Sequence, residues 1–246
     1  MSGHSKWSNI QHKKEKNDAA KAKVFTKIGK EMAIAVREHG ADPESNSKLR
    51  DLISKAKSLN VPNDNIERII KKASGADAVE YVELTYEGYG PSGVAIIVDT
   101  ATDSKNRTAG NMRHYFDKFG GNLGTAGSVS FMFSSKGIIN ISAVDEYGDV
   151  VIDADKLMED ALECGAEDFA QEDDNLFVIT TAPEDLETVK NALSELGYQF
   201  LSAEVEKVPS SYVTLTNEDD IVHLNRLLDA LDDDDDVQNV WHNWDE

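Results

Sequence analysis

The 246 residues are 40% apolar and 29% charged, with 25 basic against 46 acidic side chains and a formal net charge of −21. This length exceeds one minimal core and predicts two or three small domains, while the apolar share excludes disorder throughout. The single cysteine, Cys164, excludes an intramolecular disulfide framework; with no membrane-length apolar run and no secretory core, the chain is expected to be cytoplasmic.

The charge is segregated along the chain. Residues 1–75 hold 16 basic and 9 acidic groups, and the remainder holds 9 basic and 37 acidic. A net of +7 beside a net of −28 predicts a module that meets a polyanion and a bulk that would repel one. Residues 2–17 show no apolar period and read as a basic arm. A helix is predicted from Ala19 to His39, with Gly40 as its stop. Phe25, Ile28, Met32 and Val36 form its packing stripe, and Lys16, Lys23, Lys27 and Lys30 line up opposite. SNSKLRDLISKAKSLN is a second helix with Asn46 or Ser47 as N-cap, and a third follows Pro62. Together the three predict a small bundle.

From Tyr81 the period becomes two. YVELTYEG and SGVAIIVD read as strands joined by a glycine- and proline-rich turn. A helix over 104–119 buries Ala109, Met112, Phe116 and Phe119, GGNLGTAG is a loop, and SVSFMF a strand. Then come strand GIINIS, helix 155–164, strands at DFAQ and NLFVITT, helix 184–196 and strand LSAEVEKV. This β-α-β-β-α-β order is the split motif of a ferredoxin-like domain. Strand SYVTL, helix 218–231 and strand VQNVWHNW follow. The expected fold is therefore α+β: residues 1–78 form the arm and bundle, residues 79–135 and 209–246 a discontinuous α/β domain, and residues 136–208 a ferredoxin-like domain inserted into it.

No catalytic pattern emerges. Cys164 closes an apolar helix without electropositive company, the histidines lack zinc spacing, and GGNLG follows a helix where a phosphate cradle needs a preceding strand. Asp232–Asp236 reads as a solvated helix end or loop, with cation binding as the minor alternative. No catalytic residue, cofactor, metal or small-molecule substrate is expected.

Features for binding a polyanion are present. Lys13, Lys14, Lys16, Lys23, Lys27 and Lys30 suit a phosphate backbone, since ammonium groups supply charge without the base-edge geometry of paired arginines. In the arm, Trp7 beside Lys6 can stack an unpaired base while the ammonium meets a phosphate. A second polar stripe carries Arg107, Asn111, His114 and Lys118, with Arg113 nearby. It reads equally as a contact patch or as a helix that offsets neighbouring acids.

GHSKW, VFTKI, ADPESNSKLR, TYEGYGPSGVAI, NRT, GGNLG with GSVSFMF, and DDVQNVWHN occur in order from end to end, and together they resemble the YebC/PmpR family. The resemblance implies a three-domain shape and a mature terminus at GHSKW rather than a transit peptide. It assigns Gly3, His4, Ser5, Lys6 and Trp7 to nucleic-acid contact and brings no catalytic residues. The function it implies is divided. Members are described as probable DNA-binding transcriptional regulators, while others, including a mitochondrial translational activator of a cytochrome oxidase subunit, act on ribosomes, and bacterial members are linked to relief of stalling at proline runs. The expected partner is therefore DNA, or ribosomal and transfer RNA with the ribosome, and no membrane.

Overall fold

The computed structural model describes residues 18–76, 78–144, 151–173 and 176–245. Chain contacts divide these into two compact units, one of residues 18–129 with 215–242 and the other of residues 130–214 with 243–245. The fold is α+β, with an N-terminal helical bundle, an antiparallel sheet carrying helices, and a ferredoxin-like sheet.

In the first unit, α1 (Asp18–His39), α2 (Ser47–Ser58) and α3 (Asn63–Ala73) form the bundle. Ile28, Met32, Ala35 and Val36 of α1 pack on Leu49, Leu52 and Ala56 of α2 and on Ile66 of α3. Phe25 is only partly buried at the edge of this core. Gly40, with φ +90, takes the left-handed turn that ends α1, where a Cβ would be strained. Asn46 then joins two helices with one side chain. Its Oδ1 accepts from Leu49 N as the α2 N-cap, while Nδ2 donates to Ala35 O and Gly40 O at the end of α1. Carbonyls left over from one helix are thus satisfied by the cap of the next.

The same unit holds strands β1 (Val82–Tyr89) and β2 (Ala95–Thr102), helix α4 (Lys105–Lys118) and the two-residue strand β3 (Asn122–Leu123). Helix α7 (Glu218–Asp233) and strand β9 (Val237–His242) return to it from the far end of the sequence. The sheet order is β3-β1-β2-β9, antiparallel throughout, with Ile97 opposite Trp241 across β2 and β9. Helices α4 and α7 pack on it and on each other. Fully buried Phe116 presses on Gly88, where a Cβ would lie 2.7 Å from the ring.

In the second unit β4 (Phe133–Ser142), α5 (Ala154–Glu163), β5 (Asp168–Asp173), β6 (Leu176–Thr181), α6 (Leu186–Glu195) and β7 (Ser202–Pro209) follow in turn. Their antiparallel order β5-β6-β4-β7 is the ferredoxin-like one. Ile139, Ile141, Phe177 and Ile179 meet Leu157, Ala161, Val189 and Leu193 of the helices in its core. Strands β8 (Val213–Thr214) and β10 (Trp244–Asp245) pair with each other, parallel, outside both larger sheets.

Three sequence expectations change, the first at GGNLGTAG, which is not all loop because Asn122–Leu123 pairs with β1 as strand β3. SVSFMF is not a strand: Ser130–Met132 is a single 3-10 turn, and the strand begins at Phe133 and runs on into GIINIS. The buried Glu87 carboxylate causes this, because it accepts from Gly127 N and Val129 N at 2.8 Å each and turns the chain before pairing starts. VQNVWHNW is likewise broken at Asn243 into β9 and β10.

Candidate nucleic-acid interface

Helix α1 has two buried sides. One packs in the bundle; the other carries Lys23, Lys27 and Lys30, one helical turn apart, and meets the end of α7 and the turn that follows it. Lys23 Nζ reaches Asp233 Oδ1 at 2.6 Å, Lys27 Nζ donates to Asp232 O at 3.2 Å, and Lys30 Nζ reaches Asp236 Oδ1 at 2.7 Å. The three donors of the Lys30 ammonium are all used, the others going to Asp235 O at 2.8 Å and Ala101 O at 3.1 Å. The ammonium also lies 5.6 Å from the centre of the Tyr81 ring.

Asp236 is the hub. Its side chain is 4% exposed, and Oδ2 accepts from Arg107 Nη2 at 2.7 Å, Thr108 Oγ1 at 2.8 Å and Thr102 Oγ1 at 3.1 Å. Burial alone would push this carboxyl up. Hydrogen bonds from Lys30, Arg107 and Thr108, and the Lys30 charge, outweigh that and hold it down at about 2. Two residues earlier, Asp234 accepts from Asn111 Nδ2 at 2.9 Å and Tyr115 Oη at 3.0 Å, while its Oδ1 takes the Asp236 N–H at 2.8 Å. Burial, then the Asp234 charge and hydrogen bond, push the Tyr115 hydroxyl up to about 12. Thr26, Lys30, Tyr81, Arg107 and the aspartates line an open cleft of about 450 Å³.

This geometry corrects the sequence reading of the stripe. Lys30 was expected to face phosphate, yet it is buried and saturated by the protein's own carboxylate and carbonyls. Asp232–Asp236 is not simply a solvated run, because Asp234 and Asp236 are buried and bonded. Arg107 is held by Asp236 and by Asp103 at 2.9 Å, and the hydrogen bonds to Asp236 and Asp103 raise its pKa. Of the two readings of the α4 stripe, Arg107 and Asn111 follow the one that offsets acids, while Arg113 and His114 are exposed. Gly3, His4, Ser5, Lys6, Trp7, Lys13, Lys14 and Lys16 lie outside the described residues. Asp236, Thr102 and Thr108 were missed as partners, since nothing in a five-aspartate run marks one member as buried.

Cys164 is half-buried, and burial with the charges of Asp160 and Glu163 pushes its thiol up, the opposite of nucleophile activation. Among the described residues no cluster of three His, Cys, Asp or Glu side chains could hold a metal ion.

Fold and charge cluster together define an α+β protein whose basic helical bundle is keyed to an acidic sheet by the buried Lys30–Asp236 ion pair. The chain belongs to the TACO1/YebC family: residues 5–76 match "TACO1/YebC protein N-terminal domain" and residues 81–244 match "TACO1/YebC second and third domain". It is 57% identical over 245 residues to a "Probable transcriptional regulatory protein" of Acetivibrio thermocellus, covering 99% of each chain. It is 58% identical over 247 residues to one of the same description from Agathobacter rectalis, covering 100% of each. The crystal structure of a conserved hypothetical protein, Aq1575 from Aquifex aeolicus, superposes with a TM-score of 0.83 at 40% identity, over 94% of this chain and 93% of that one.

Proposed function

We propose that the protein is a non-enzymatic regulator of gene expression that acts by binding nucleic acid. The observation that carries this reading is the charge segregation, 16 basic against 9 acidic groups in residues 1–75 within a chain of net charge −21. The names of its relatives, transcriptional regulatory proteins, agree with it. The arm, with Lys6, Trp7, Lys13, Lys14 and Lys16, supplies cations and one stacking ring to this interface, and the exposed Arg113 and His114 of α4 are a second patch. No helix among the described residues is long and apolar enough to cross a membrane.

Two targets compete, promoter DNA and RNA of the ribosome. The Trp7–Lys6 pair of the arm, suited to an unpaired base beside a phosphate, favours RNA, and the relatives' names favour DNA. Crosslinking in cells, followed by sequencing of bound DNA and bound RNA together, decides between them. Enrichment of ribosomal and transfer RNA supports a translation factor, enrichment of promoter DNA supports a transcription factor, and enrichment of neither removes the nucleic-acid reading.

A further inference from the structure

The segment 47–73 carries seven basic side chains against Asp51, Asp64 and Glu67. Arg50, Ser54 and Lys57 are spaced i, i+4, i+7 on α2, opposite the buried Leu49, Leu52 and Ala56. On α3, Arg68, Lys71 and Lys72 stand opposite Ile66, Ile69 and Ile70, which pack in the bundle core. All of these outward residues are exposed. Lys48 is different, because it leans back toward Glu38 at 3.7 Å and Glu83 at 3.9 Å. Among the described residues no ion pair engages Arg50, Lys57, Lys71 or Lys72.

Every described lysine of the predicted α1 stripe is bonded within the protein, whereas Arg50, Lys57, Lys71 and Lys72 of α2 and α3 engage no ion pair among the described residues of a molecule with acids to spare. We infer that the outward faces of α2 and α3 form a docking surface for the ribose-phosphate backbone of an RNA helix. The inference rests on the nucleic-acid reading above and gives it a location.

Chemistry selects RNA over duplex DNA. Reading base edges in a DNA major groove takes bidentate guanidinium or amide groups. Here Arg68 is tied to Asn65, which leaves Arg50 as the one unengaged guanidinium among the described residues of the two helices. Between the cations stand the exposed hydroxyls of Ser47, Ser54 and Ser58. The Ser58 hydroxyl donates to Lys55 O at 2.8 Å and keeps lone pairs to accept with. Ammonium groups for phosphates interleaved with hydroxyls for 2′-OH groups suit the wide, shallow minor groove of an A-form helix, which is read by shape.

The test uses the full chain, an RNA hairpin with a stem of about 16 base pairs, a DNA duplex of the same sequence, and fluorescence anisotropy across a salt series. The variant is R50Q/K57Q/K71Q/K72Q, with K136Q/K156Q/K190Q/K207Q as a control that removes the same charge from the ferredoxin-like unit. The α2–α3 variant is expected to bind RNA at least about tenfold more weakly at 0.1 M salt and to flatten the salt slope by about three to four units, close to one for each of the four lost phosphate contacts. The control is expected to match the parent. Parent binding left unchanged in the α2–α3 variant overturns the surface, and DNA bound as tightly as RNA overturns the choice of RNA. A parent that binds neither probe defeats the nucleic-acid reading itself. Should the quadruple variant unfold, hydrogen exchange on the unmutated protein replaces it: RNA-dependent protection over 47–73 is expected, and protection confined elsewhere overturns the inference.

Discussion

Lys23 and Lys30 stand on one stripe of one helix, and each reaches an aspartate of the run 232–236, at 2.6 and 2.7 Å. Distance does not tell these pairs apart; burial does. The Lys23 and Asp233 side chains are 38% and 74% exposed, and those of Lys30 and Asp236 are 10% and 4%. Water and salt screen the outer pair, so it contributes about 0–1 kcal/mol. The inner pair has given up its hydration, and each partner depends on the other to offset that cost. One stripe thus runs from a contact that phosphate or salt can replace to one that holds the bundle on the sheet.

The comparison is tested hardest at its buried end. Lys30→Ala leaves the Asp236 charge short of its cation and is expected to destabilise the protein by about 3–5 kcal/mol in urea unfolding. A loss below about 1 kcal/mol would place Lys30 in the same class as Lys23. Acid is the second probe. The folded pKa of Asp236, about 2, lies below the unfolded value of about 3.9, so its stabilisation is complete above about pH 4 and is lost as pH falls through 2. Stability of the parent is expected to drop by about 2 kcal/mol across that window, with Asp236→Asn flatter over the same range.

Smaller effects sharpen the boundary. Tyr115→Phe removes one hydrogen bond to the Asp234 carboxylate and is expected to cost about 1–2 kcal/mol. In the parent, ultraviolet titration should show two tyrosines ionising near 12, and the amplitude of that transition should fall by about half in the variant. A second tyrosine raised to about 12, Tyr198, donates to Asp160 in the ferredoxin-like unit at 2.6 Å and serves as the internal control. The least effect belongs to Lys23→Ala, expected to change stability by under about 1 kcal/mol. A larger loss would show that the outer pair is structural after all.

Much of the fold was legible in the sequence because its signals are local. The 3.6 period of Ile28, Met32 and Val36, the Asn46 cap and the alternation of β1 each act within a few residues. The βαββαβ order also followed from local periods read in series. SVSFMF misled because its alternation is real, yet Glu87, about forty positions away, fixes the backbone there into a turn. Lys30 misled for the same reason. A lysine opposite an apolar stripe reads as exposed, and only the tertiary fold reveals that Ile34 and Lys30 make a second buried side. The α2–α3 cations were visible in the sequence but gained weight only once the α1 lysines were seen to be engaged.

Strand β9 and the Asp232–Asp236 turn close the first unit, and both come from the last fifteen residues of the chain. Lys30 therefore leaves the translating ribosome 206 residues before Asp236 does. At roughly 5–20 residues per second the ammonium waits about ten to forty seconds for its carboxylate. During that interval the nascent chain displays a hydrated cationic helix and, once β2 has been made, a β2 edge that still lacks β9. Synthesis itself thus orders assembly, with the bundle free to form early and its seat on the sheet last of all. A message cut short before Asp232 would yield a chain that contains most of the residues of the fold and never acquires its keystone.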